Sequence, residues 1–128
     1  MKHVLLRGHQ IIALGLVKEG HEKLLYKAAS KRGKEYTNAT IAILKDLVEH
    51  PRKRVVLTDT YGTLCEGCND RATCDERGVA GYDREIMQRY DFKKGKAYTA
   101  SQVFKRITGD TTDIQAEVDR LKKLVHTK

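Results

Sequence analysis

Three cysteines fall within ten residues, as Cys65-x-x-Cys68-x5-Cys74, and the other 118 residues of the chain contain none. A C-x-x-C pair lets two thiolates converge on one ion because the residues between them form a tight turn, which Gly67 assists. Zinc held by four cysteines, or by three cysteines and a histidine, uses such pairs, and so do iron–sulfur clusters. A redox dithiol is the other chemistry open to Cys65 and Cys68, although it leaves Cys74 surplus. An odd number of thiols cannot be fully paired within one chain. A set of three leaves one coordination position to fill, and His9, beside Arg7 at the start of a helix where its ring could point out of the core, is the candidate. Against it, His3, His21, His50 and His126 have no comparable context. Asp59, Asp70 and Asp75 lie closer in sequence, but they are harder ligands, better suited to turns and caps. The expected metal set is therefore Cys65, Cys68, Cys74 and His9.

The elements that must position these residues read as mainly helical. Gly8–Val17 carries Ile11, Ile12, Leu14 and Leu16. A second helix is expected over Gly20–Arg32, stopped by Gly33. In the third, Asn38 is a plausible N-cap, Ile41, Leu44, Leu47 and Val48 form a stripe, and Pro51 lies just beyond the end. Arg54–Thr58 is a β-branched run that reads as a strand and leads through Asp59-Thr60-Tyr61-Gly62 into the cysteines. Tyr82, Ile86 and Tyr90 recur at every fourth position, giving a helix over Val79–Tyr90. Two capping boxes, Thr99-x-x-Gln102 and Thr112-x-x-Gln115, open the last two helices.

A lone strand cannot satisfy its own backbone, and His3–Leu6 is the other extended candidate. Pairing of the two would carry Arg7 and His9 next to the cysteine loop. The expected fold is thus mainly α (α+β): one domain over residues 1–128, with one or two short strands and a cysteine-rich metal-binding loop at residues 59–78.

Composition narrows the function classes. The chain has 128 residues, 33% of them charged, with 25 Lys+Arg against 17 Asp+Glu and a net charge of +8. The longest apolar stretch, Ile11–Val17, is far short of the roughly 20 residues needed to cross a bilayer. Arg7, His9 and Gln10 interrupt anything resembling a signal peptide in Met1–Gly20, so a cytoplasmic protein is expected. Phosphate-loop, dinucleotide-binding and nucleophile-elbow motifs do not occur, and no catalytic base stands out. The positive charge is dispersed, which suits a solvated surface. It also leaves room for an alternative, a nucleic-acid-associated zinc module whose basic residues contact phosphates.

Arg7-Gly8-His9, then Val55–Asp59 leading into Leu64-Cys65-x-x-Cys68 and Cys74, then Tyr82-Asp83-Arg84-x-Ile86, Phe92, Gly95 and Tyr98 together resemble the domain of unknown function 1284 family, over most of Arg7–Ile107. These are small bacterial and archaeal proteins suggested to bind iron–sulfur clusters. The resemblance implies cluster or metal binding and no known reaction; a metal held by these residues would give the chain a structural or electron-transfer role. The family commonly opens with an arginine, a variable residue, two histidines, two aliphatics and a cysteine. This chain instead reads Arg7, Gly8, His9, Gln10, Ile11, Ile12 and Ala13, so the second histidine and the cysteine are absent. His9 completes the site, or an incomplete cluster binds more weakly, or the ion is zinc. Gly15–Lys34 is longer than the family usually carries.

Overall fold

The computed structural model describes residues 3–23, 34–66, 68, 78–107, 116 and 119. Outside them lie Cys74, most of the second expected helix, half of the cysteine loop, and the Thr112-x-x-Gln115 box. The described chain runs β1 (Val4–Arg7), α1 (Gly8–Lys18), α2 (Lys34–Glu49), β2 (Arg54–Thr58), a 3-10 turn (Thr63–Cys65), α3 (Val79–Arg89), β3 (Ala97–Thr99) and α4 (Ala100–Ile107). The architecture is α+β and mainly helical, around a three-stranded sheet of order β1-β2-β3.

β1 pairs parallel to β2, with Arg7 opposite Thr58. A parallel neighbour requires a crossover between the strands, and α1 and α2 lie in that connection. β3 pairs antiparallel to β2, with Thr99 opposite Arg54. This third strand exceeds the expected one or two. Its three residues are too few to show a period of their own, and pairing with β2 makes them extended. Val55 and Leu57 are fully buried while Val56 between them is partly exposed, so one face of β2 carries the core. Leu6, Ile11, Leu14, Leu44, Leu47, Ile86 and Val103 join them there.

Helix ends follow local chemistry. At the end of α1 the Gly20 amide donates to the Val17 carbonyl at 3.1 Å and the His21 amide to Leu16 at 2.7 Å. Gly20 has φ of 83°, so the bonds and the left-handed residue together form a Schellman stop. Gly20 therefore terminates α1 and does not begin the next helix. α2 starts at Lys34, four residues before Asn38, which sits exposed inside it. An asparagine inside a helix costs only tenths of a kcal/mol, so its preference for the cap is easily overridden.

α3 ends in a second Schellman stop: Asp91 takes the left-handed position at φ 58°, and the Phe92 amide donates to Met87 at 2.8 Å. The Thr99–Gln102 box is formed. The Thr99 amide donates to Gln102 Oε1 at 2.9 Å, and the Gln102 amide donates to Thr99 Oγ1 at 3.1 Å. No described helix is long and apolar enough to cross a membrane.

Candidate functional site

The C-terminal ends of the parallel strands β1 and β2, the first turn of α1 and the side of α3 meet at one place, where the sheet passes into the cysteine segment. β1 runs directly into α1 at Arg7, the extended N-cap residue. Its amide donates to Gln10 Oε1 at 2.8 Å, so the helix's own third residue closes the turn. The next cap comes from across the molecule. Asp83 Oδ1 on α3 accepts the His9 backbone amide at 2.9 Å. A carboxylate there also sits favourably at the positive end of the helix.

Asp83 is fully buried, and both of its oxygens are engaged. Oδ2 accepts Arg7 Nε at 2.7 Å, and Oδ1 faces His9 Nδ1 at 2.7 Å. Arg7 is 4% exposed and His9 5%, so charge and counter-charge are withdrawn from water together. A buried ion pair of this kind persists only when its geometry and remaining hydrogen bonds are good, and three donors on one carboxylate supply them. With Asp83 accepting, Nδ1 carries the proton in the neutral ring, which makes Nε2 the acceptor. The close approach of α1 to α3 depends on Gly8, because a Cβ there would lie 2.3 Å from the Asp83 carbonyl oxygen.

Asp59 closes the β2 side of the junction. Its backbone carbonyl accepts Arg7 Nη2 at 3.4 Å. Its carboxylate, itself buried, meets Lys94 at 2.7 Å and Arg84 at 2.9 Å. Lys94 first and Arg84 second hold its pKa down to about 2, against the opposing effect of burial. Asp59 is thus an anion that anchors the loop before β3 and the side of α3 to the end of β2.

Past Asp59 the chain turns into the cysteines. Gly62 lets this turn lie directly on β1, since a Cβ there would meet the Leu5 carbonyl oxygen at 2.7 Å. The Leu5 amide in turn donates to Thr63 Oγ1 at 2.9 Å. Cys65 is buried, and its amide donates to the Gly62 carbonyl at 3.0 Å. The Gly62 amide points back at Cys65 Sγ from 3.3 Å, and Gln10 Nε2 lies 4.0 Å from the same sulfur. Cys68 is partly exposed, and its amide donates to the Cys65 carbonyl at 3.1 Å, closing the C-x-x-C turn. Both thiols are free.

The pairing of β1 with β2 does carry the start of α1 to the cysteine segment, as the sequence suggests. Arg7 bonds the Asp59 carbonyl there, and Gln10 Nε2 lies beside Cys65 Sγ. The expectation that the His9 ring leaves the core is corrected: the ring is buried and bonded to Asp83. Cys74 lies outside the described residues, and among these no group of three or more His, Cys, Asp or Glu side chains could hold a metal ion.

Sequence reasoning assigned no role to Asp83 or Gln10. For Asp83 a signal existed: it lies three or four residues from Val79, Ile86 and Met87, all buried, so a carboxylate stands on the apolar side of α3. Gln10 occupies the position where the resembled family places its second histidine, and its side chain is the one directed to Cys65.

A model of a family described as "Protein of unknown function (DUF1284)" matches residues 33–120, more than half of the chain. The matched range contains all three cysteines, Asp59 and Asp83, and begins beyond His9. Comparison with curated proteins and with solved structures finds no match.

Proposed function

The chain belongs to the DUF1284 family, and we propose that it is a metal- or iron–sulfur-binding protein with Cys65, Cys68 and Cys74 as thiolate ligands. The observation that carries this reading is the closed turn around Cys65. Its sulfur receives one backbone amide at 3.3 Å, while the carbonyl of the same residue receives the Cys68 amide at 3.1 Å. The thiolate is the form that binds metal, and an amide aimed at the sulfur is a donor that a ligating sulfur would accept. The donor set fits a soft or borderline ion or cluster and suits hard oxygen-seeking cations poorly.

His9 is the proposed fourth ligand, through Nε2. Its bond to Asp83 is the carboxylate–histidine arrangement that orients ligating imidazoles and raises their basicity. Gln10 would serve the thiolate as a donor and not the metal as a ligand. Bound iron–sulfur would supply one-electron chemistry; bound zinc would cross-link the segment between β2 and α3.

Protein purified without oxygen should carry metal in wild type, and Cys68→Ser should lose most of it. Cys68 is partly exposed, so the variant should retain the far-UV circular dichroism of the wild type. Unchanged metal stoichiometry in a folded Cys68→Ser protein removes the assignment.

A further inference from the structure

Lysine and arginine crowd the segment that runs from the end of α3 through β3 to the end of α4. Residues 89–107 contain six of them, Arg89, Lys93, Lys94, Lys96, Lys105 and Arg106, against one carboxylate, Asp91. Five of the chain's eight net positive charges therefore arise in nineteen residues.

The fold gathers this segment around one aromatic cluster. The rings of Phe92 and Tyr98 meet edge to face at 5.0 Å. Arg106, from the last turn of α4, places its guanidinium 4.9 Å from both ring centroids and donates to the Asp91 carbonyl. Lys96 stands 5.5 Å from the Tyr98 ring, and the Lys93 amide donates to the Tyr98 hydroxyl at 2.8 Å. A tight turn, closed from the Lys96 amide to the Lys93 carbonyl with Gly95 at φ 82°, fixes the intervening backbone.

Lys94 is taken up by Asp59. Lys93, Lys96, Lys105 and Arg106 are exposed and make no ion pair among the described residues. β3 is an edge strand, and the charge continues along it: Lys96 directly precedes the strand, and exposed Arg54 lies opposite Thr99 at its other end, with Arg52 two residues away.

We propose that this rim binds the phosphodiester backbone of nucleic acid without regard to sequence. Unpaired cations placed along one edge are the footprint that phosphate neutralisation requires. Phe92 and Tyr98 are buried, so their rings serve as a platform for Arg106 and are not offered to bases. That leaves backbone contact and excludes stacking readout. The same burial favours nucleic acid over an anionic membrane, because no large apolar side chain projects from the rim. The exposed large hydrophobics among the described residues are Leu5 and Tyr61, elsewhere in the fold.

The test is fluorescence anisotropy of the full chain with a labelled 20-base-pair DNA duplex and a 20-nucleotide RNA, from 50 to 200 mM salt. Phosphatidylserine-containing vesicles and polyglutamate are run as separate arms. Lys93→Gln/Lys96→Gln/Lys105→Gln should weaken binding to both nucleic acids at least tenfold. It should also reduce the slope of log K against log salt by roughly 2–3, about 0.9 per lost phosphate contact on duplex. Lys23→Glu/Lys45→Gln carries the same change in net charge and should bind within about twofold of wild type. The proposal is overturned if the two variants bind alike, if wild type fails to bind nucleic acid at 50 mM salt, or if vesicles or polyglutamate bind as tightly as nucleic acid. Matching circular dichroism of the two variants establishes that surface charge, and not unfolding, is what is read.

Discussion

Two neighbouring regions share the C-terminal ends of β1 and β2 but are held in opposite ways. At the inner junction Asp83 binds Arg7 and His9 through three bonds of 2.7–2.9 Å, and Gly8 lets two helix backbones touch. Beside it, Cys65 Sγ is held by one amide at 3.3 Å and an amide nitrogen at 4.0 Å, and Cys68 is partly exposed. The junction is over-determined, whereas the cysteine turn has weak internal restraints. The difference teaches that the bonds of the junction fix where the helices sit, whereas the sulfurs of Cys65 and Cys68 take little part in holding the fold. Stability should therefore reside in the first region and ligand capacity in the second.

The largest effect belongs to Asp83→Ala. Removing one member of a buried ion pair strands Arg7, which costs about 3–5 kcal/mol, a large share of the 5–15 kcal/mol of an ordinary domain. Urea denaturation should show this as a lower midpoint, and an unchanged midpoint would mean the junction is not what holds α1 to α3. Next comes Gly8→Ala, where the added Cβ meets backbone that cannot rotate away, for about 1–3 kcal/mol or more. Cys65→Ala sharpens the comparison from the other side. In metal-free protein it should cost only about 1 kcal/mol while abolishing metal uptake. A loss as large as that of Asp83→Ala would make the turn architectural after all. Gln10→Ala removes the side-chain acceptor for the Arg7 amide, an effect of about 1 kcal/mol.

The smallest effect is a pH dependence. Asp59 has a folded pKa near 2, below its ordinary 3.8. The stability it contributes is therefore present above pH 3.8 and is lost as pH falls from there through about 2. Its partners Arg84 and Lys94 are 59% and 58% exposed, so solvent screening limits the contribution to about 1 kcal/mol. The gap in urea midpoint between wild type and Asp59→Asn should be open at pH 6 and closed near pH 2. A gap that does not change with pH would remove the ion pairs as its cause.

Much of this framework is legible locally. The Ile41–Leu44–Leu47 stripe, the β-branched run at Arg54–Thr58 and the Thr99–Gln102 box each declare themselves within one or two turns of chain. What is not legible is what arrives from far away. β3 is extended because β2 lies beside it, and Asp83 meets Arg7 across 76 residues of sequence. Nothing near His9 announces that its ring nitrogen is bonded from another helix, so its ring is misjudged as pointing outward. The cysteine spacing marks out a candidate site, but the donors around Cys65, Gly62 and Gln10, come from the turn's contact with β1 and α1.

The account turns on the thiolates of Cys65, Cys68 and Cys74 holding an inorganic partner. Iron, acid-labile sulfide and zinc should be quantified per chain in wild-type protein expressed with both metals available and purified anaerobically. The account predicts either zinc near one equivalent in colourless protein, or iron and sulfide in matched amounts in brown protein. Protein containing neither metal above trace, with all three thiols immediately alkylated, would contradict it.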